Sequence, residues 1–137
     1  MKILLIEDNP ADIRLMKEGM RSLDSRHQLM VATDGDEAVS LLSKESAPDL
    51  VLLDINLPRR DGLDLLKGIR SMPAFAATPV IILSSSSNPE EVNRAYLWGA
   101  NAYVCKPVSN FFDMLGDLDR FWLKRAILPS SRNHKDR

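Results

Sequence analysis

Four short apolar runs in this chain of 137 residues end in side chains suited to chemistry: Glu7 with Asp8, Asp54, Ser84 and Lys106. If those runs are parallel strands, their carboxyl ends share one edge. Carboxylates gathered there repel one another unless a cation relieves them. Magnesium suits such a site, being hard, oxygen-seeking and content with one or two carboxylates plus water and phosphate. Glu7, Asp8 and Asp54 would be its ligands, and the backbone carbonyl of Asn56 a fourth donor. In that setting Asp54 is a nucleophile for phosphoryl transfer, giving an acyl phosphate. The metal and the Lys106 ammonium would neutralise charge on the phosphoryl oxygens. The Ser84 hydroxyl would hydrogen-bond one of them. Taken singly, each residue has a plainer reading: Asp54 and Ser84 as turn formers, Lys106 as a solvated lysine, Glu7-Asp8 as a strand terminator. Taken together they point one way.

The elements needed to position these residues are legible. Ile3 to Ile6, Asp49 to Asp54 and Val80 to Leu83 are nearly continuous apolar runs, as in strands buried on both faces. His27 to Ala32 and Ala102 to Cys105 are weaker strands. Asn9-Pro10 and Asn88-Pro89 are cap-and-proline helix starts, and Asp12 adds negative charge to the first turn. Helices follow each strand: Ile13, Met16, Met20 and Leu23; Ala38, Leu41 and Leu42; Leu63, Leu66 and Ile69; Val92, Ala95 and Trp98, stopped at Gly99. The last, capped by Ser109, carries Phe111, Leu115, Leu118 and Trp122 in one stripe, with Phe112, Phe121 and Leu123 off it. Five strands alternating with five helices imply a doubly wound α/β fold with a five-stranded parallel sheet. One domain over residues 1–128 and a polar, disordered tail over 129–137 are expected.

Composition narrows the function. A net charge of -1 argues against nucleic acid as a partner. No apolar run reaches membrane-spanning length, and the acidic start is unlike a signal peptide, so a cytoplasmic location is expected. The lone cysteine, Cys105, sits in an apolar run and reads as a buried, inert thiol.

Glu7-Asp8, Asp54 with Asn56-Leu57-Pro58 and Asp61-Gly62, Ser84, and Tyr103 with Lys106-Pro107 resemble the full signature of a response-regulator receiver domain, CheY-like and flavodoxin-like in fold. The resemblance covers residues 1 to about 125. It implies Glu7 and Asp8 as the acidic metal pair, Asp54 as phosphoacceptor, Ser84 as switch hydroxyl, Tyr103 as switch aromatic and Lys106 as the partnering lysine. It also implies a cis Lys106-Pro107 bond and a histidine kinase as phosphodonor. Glu in place of the first of two aspartates, and Ser where Thr is also usual, are mild departures, since neither removes an oxygen. Pro48-Asp49-Leu50, Leu83-Ser84-Ser85-Ser86, Tyr96 ahead of Gly99-Ala100-Asn101-Ala102-Tyr103, and Phe121-Trp122 are similar to stand-alone receivers that serve phytochrome-type kinases.

A flavodoxin would share the fold, but Glu7-Asp8-Asn9-Pro10 would repel the phosphate that its first loop must hold. A haloacid-dehalogenase phosphatase ends its first strand in the nucleophile, with a second Asp two residues on; position 9 here is Asn. A receiver serving only as a scaffold would lack site residues, and none is missing. The chain reads as a phosphoacceptor signalling protein rather than an enzyme with an external substrate. Its output would be a protein contact or relay to a histidine phosphotransfer protein. The apolar excess on the last helix predicts a two-fold homodimer through it.

Overall fold

The computed structural model describes residues 1–44, 47–57 and 61–129. Lys2–Ile6 (β1), Gln28–Ala32 (β2), Leu50–Asp54 (β3), Val80–Ser84 (β4) and Ala102–Cys105 (β5) form one sheet in the order β2-β1-β3-β4-β5. Every neighbouring pair is parallel. The helices are Pro10–Leu23 (α1), Gly35–Lys44 (α2), Gly62–Ser71 (α3), Pro89–Leu97 (α4) and Phe111–Leu118 (α5). This is the doubly wound architecture expected from the sequence.

Strand alternation divides the apolar residues between two cores. Leu4, Ile6, Val51, Leu53 and Ile82 face Leu42 of α2 and Leu66 and Ile69 of α3. Ile3, Leu5, Leu52 and Ile81 face Met16 and Met20 of α1 and Leu115 and Leu118 of α5. The central strands β3 and β4 are buried along their whole length, as layers of helix on both faces require. Each fully buried Leu or Ile contributes about 2 kcal/mol of transfer free energy.

Helix starts follow the expected chemistry. The Asn9 carboxamide oxygen accepts from the Ala11 and Asp12 amides, with Pro10 opening α1. Asn88 accepts from the Glu90 amide ahead of α4, and Asp61 from the Leu63 amide ahead of α3. Asp34, read as part of a turn, also caps: its Oδ1 accepts from the Glu37 amide at 2.8 Å.

The last helix departs from expectation in three ways. Ser109 is not its cap; Asn110 holds that position with φ 60° and no side-chain cap bond. After Leu118 the backbone widens into a π-helical segment, Asp119–Arg125. A π turn holds more residues than an α turn, so the stripe extrapolated at helical spacing slips. Leu123, expected at the surface, is therefore buried at 7% exposure in the core beside α1. Phe112 is half exposed, but it packs by α1, where a side chain at Gly19 would meet it at 3.0 Å. Phe121, 52% exposed, likewise keeps the expected surface position. It borders a groove of about 520 Å³ shared with Val104, Cys105, Pro107, Met114 and Trp122.

Two further expectations fail. Cys105 is exposed, at the end of the edge strand β5 and on the open groove beside α5. The Lys106–Pro107 bond is trans, there being no cis peptide bond among the described residues. The Lys106 side chain reaches the site without one, its backbone N–H being held by the Ser84 carbonyl at 2.7 Å, and the left-handed Asn110 helps turn the chain into α5. Of the expected tail, 130–137 lies outside the described residues, as does Pro58 of the loop after β3. Among the described residues, no helix is long and apolar enough to cross a membrane.

Candidate functional site

In an open α/β sheet the ligand crevice lies beyond the carboxyl ends of the strands, where the strand order reverses. Here the reversal falls at β1 and β3, between which the chain passes from one half of the sheet to the other. Ile6 pairs with Leu53, so the residues that end these strands, Glu7 and Asp54, emerge side by side. Carboxylate oxygens of Glu7, Asp8 and Asp54 all lie within 4.8 Å of one another. Asp8 is exposed while Glu7 and Asp54 are buried, so the group opens to solvent on one side. An oxygen-only donor set of this kind fits a hard divalent cation.

Hydrogen bonds fix the residues directly after β3 and the start of α3. The Asn56 amide donates to Asp54 Oδ1 at 3.0 Å, and the Gly62 amide donates to the Ile55 carbonyl at 3.0 Å. A side chain at Gly62 would meet the Ile55 Cα at 2.3 Å, which explains the glycine there. Asp54 Oδ2 faces the Lys106 ammonium at 3.2 Å. Lys106 also donates to Glu7 Oε1 at 2.5 Å and to Asp12 Oδ2 at 2.9 Å. The Asp12 contact was not foreseen: a carboxylate in a first helical turn is ordinarily explained by the helix dipole alone.

Electrostatics match the crowding. Burial, then hydrogen bonding with Asp54, pushes the Glu7 carboxyl up to about 7, against the pull of Lys106. Burial opposes charge on Lys106 too, yet its hydrogen bonds to Glu7 and Asp12 and the field of Asp54 outweigh that and raise its pKa above the ordinary lysine value. The lysine is a permanent cation among carboxylates that share too little positive charge.

The side chains enclose a cavity of about 540 Å³, lined by Asp8, Asn9, Asp12, Asp54, Asn56, Ser85 and Lys106 among others. Ser84 is fully buried behind it, its Oγ accepting from the Ser86 amide at 3.1 Å and the Asn56 side-chain amide at 3.5 Å. Ser84 is thus linked to the site through Asn56 and not to Asp54 directly. The Tyr103 hydroxyl donates to the Ser86 carbonyl at 2.8 Å, and the Tyr103 backbone amide donates to the Tyr96 hydroxyl at 3.0 Å. Tyr103 is therefore already tied to the loop that carries the serines. The sequence reading missed Ser86 as the residue that joins Ser84 to Tyr103; its place two residues beyond a strand-ending serine was the available signal.

Comparison with known proteins agrees with this geometry. The model of the response regulator receiver domain matches residues 3–112. Response regulator Rcp1 of Synechocystis sp. is 34% identical, across 94% of this chain and 93% of its own length. The crystal structure of the Mn(2+)-bound form of Rcp1 superposes with a TM-score of 0.87, over 94% of this chain and 99% of that one. The phosphorylated cyanobacterial phytochrome response regulator RcpA is 38% identical with a TM-score of 0.90, over 94% and 98% of the two chains. By its fold, by the acidic group and lysine at its sheet edge, and by these relatives, the chain belongs to the response regulator receiver domain family, the phosphoryl-accepting partners of histidine kinases in two-component signalling.

Proposed function

We propose that Asp54 is the phosphoacceptor. What carries this reading is the meeting of Asp54, the Lys106 ammonium and the Glu7–Asp8 pair around one open cavity. An Asp54 oxygen forms a bond to phosphorus as the N–P bond of a kinase phosphohistidine breaks, the electron pair leaving with the imidazole. The product is an acyl phosphate, and no protein base is needed. Water attacking phosphorus later returns the carboxylate and releases phosphate. Lys106 meets the phosphoryl oxygens, and the Asn56 amide keeps the nucleophile oriented. Magnesium, held by Glu7, Asp8, Asp54 and the Asn56 carbonyl, supplies charge neutralisation on the phosphoryl oxygens when bound. Incubation with acetyl phosphate and magnesium should add one phosphoryl group, and Asp54→Asn should abolish it. A normal rate of uptake in Asp54→Asn would overturn the assignment.

The added charge, about 1.5 to 2 units, is read by Ser84. Its hydroxyl gives up the Ser86 amide for a phosphoryl oxygen, moving the loop to which Tyr103 is tied. Ser84→Ala should leave phosphate uptake largely intact and weaken the downstream response. The kinase is of the phytochrome type, by likeness to RcpA, and onward transfer goes to a partner protein or a histidine phosphotransfer domain in the cytoplasm. The domain itself spans residues 1–128.

The groove beside β5 is the site of self-association, its apolar lining and the half-exposed Phe121 supporting this. Phe121→Asp tests it without disturbing the core. Leu123→Asp does not, since Leu123 is buried and a charge there would unfold the chain. A wild-type monomer by light scattering, with and without beryllofluoride, would remove this part of the proposal.

A further inference from the structure

An ammonium has three hydrogens, and all three on Lys106 are taken by carboxylates: Glu7 at 2.5 Å, Asp12 at 2.9 Å and Asp54 at 3.2 Å. The longest of these contacts is the one to the nucleophile. Asp12 comes from a different element than the others, the first turn of α1, and from 94 residues away in sequence. A carboxylate at this helix position commonly turns back to its own cap or serves only the helix dipole. Here the Asn9 side chain already caps the Ala11 and Asp12 amides, so the Asp12 carboxylate is free to reach across the cavity. It is also the more open partner: its side chain is 24% exposed, against 2% for Glu7 and 8% for Asp54. Asp12 therefore draws the ammonium toward the solvent side of the site, while Glu7 anchors it from below.

We infer that Asp12 is a positioning residue for phosphoryl transfer. It competes with the phosphoryl group for the Lys106 ammonium, so that an incoming phosphoryl must displace one carboxylate to gain its lysine contact. The inference rests on the reading of Asp54 as phosphoacceptor. It explains why a site with a surplus of carboxylates carries one more than a cation needs: the additional one restrains the lysine.

Beryllofluoride, which occupies the place of a phosphoryl group on a carboxylate, is the probe. Binding is measured by titration calorimetry with magnesium present. Asp12→Asn should bind it about fivefold more tightly than wild type, and should take phosphate from acetyl phosphate faster by a similar factor. Close competition for an ammonium whose side chain is only 10% exposed is screened little by salt, whereas repulsion of an anion at the cavity mouth is screened strongly. The gain should therefore persist at about 0.5 M sodium chloride. Equal or weaker binding by Asp12→Asn overturns the inference, and so does a gain that vanishes in salt. A wild-type chain that binds no beryllofluoride would instead overturn the phosphoacceptor reading on which it rests. Circular dichroism of Asp12→Asn should match wild type, since the Asn9 cap of α1 does not depend on the Asp12 carboxylate.

Discussion

The two edges of the sheet hold charge in opposite ways. At the carboxyl edge, Glu7, Asp8, Asp12 and Asp54 surround one lysine, Lys106. At the amino edge, Asp119 meets His27 at 2.8 Å and Lys124 at 3.3 Å, and Asp24 meets Lys124 at 3.2 Å and Arg26 at 2.9 Å. The hydrogen bond from Arg26, more than any other influence, holds the Asp24 carboxyl well below the usual range. Burial pushes Glu7 the other way, to about 7. Carboxylates met by enough donors fasten the chain, here the turn after α1 to the π-helical segment 92 residues on. Carboxylates left in excess cost stability and are kept because a charged ligand needs them.

The largest expected effect sits at the balanced edge. Asp119→Ala leaves His27, whose side chain is 4% exposed, without its partner. Leaving a buried group without its hydrogen-bond partner typically costs about 2 kcal/mol, read as a lower urea midpoint with unchanged slope. The unbalanced edge should respond with the opposite sign. Without divalent cation, Asp54→Asn should stabilise the fold by about 1 kcal/mol, because it relieves repulsion, and raise the melting temperature by about 3–5 °C. Destabilisation of similar size by both changes would erase the distinction between the edges.

A pH series sharpens the contrast. The native Glu7 carboxyl, at about 7 against an ordinary 4.5, binds its proton more tightly than the unfolded chain does. Its contribution is therefore greatest below pH 4.5 and is lost as pH rises toward 7. In chelator, the stability of wild type relative to Glu7→Gln should fall across that window. Saturating magnesium should flatten the curve, because the cation favours the ionised carboxylate. A flat curve in chelator would mean that burial does not hold Glu7 protonated. The smallest effect is expected for Lys124→Ala. Its side chain is 45% exposed, and solvent screens ion pairs in that setting so well that the urea midpoint should hardly move.

Most of the frame was legible because it rests on local chemistry. Apolar runs of strand length and Asn-Pro helix starts specify their elements through neighbours a few residues away. Asp54 closing β3, with Glu7-Asp8 closing β1, placed the site at one sheet edge once the strands were taken as parallel. The last helix was misread because helical spacing assumes an α geometry, and the π segment from Asp119 moves Leu123 inward and leaves Phe121 outside.

The sequence alone determined the alternation of strands and helices, the carboxylates that gather at the sheet edge, and the lysine that joins them, because residue type and strand period suffice for these. Only the tertiary structure decided that Asp12 reaches Lys106, that His27 pairs with Asp119, and that Tyr103 is tied to Ser86. It likewise decided that Cys105 is exposed and that the chain passes Lys106–Pro107 in trans. Each of these depends on what an element packs against, or on whether it lies at the edge of the sheet. Contacts between residues distant in sequence are fixed by the packing of whole layers, a quantity that no local window of sequence contains.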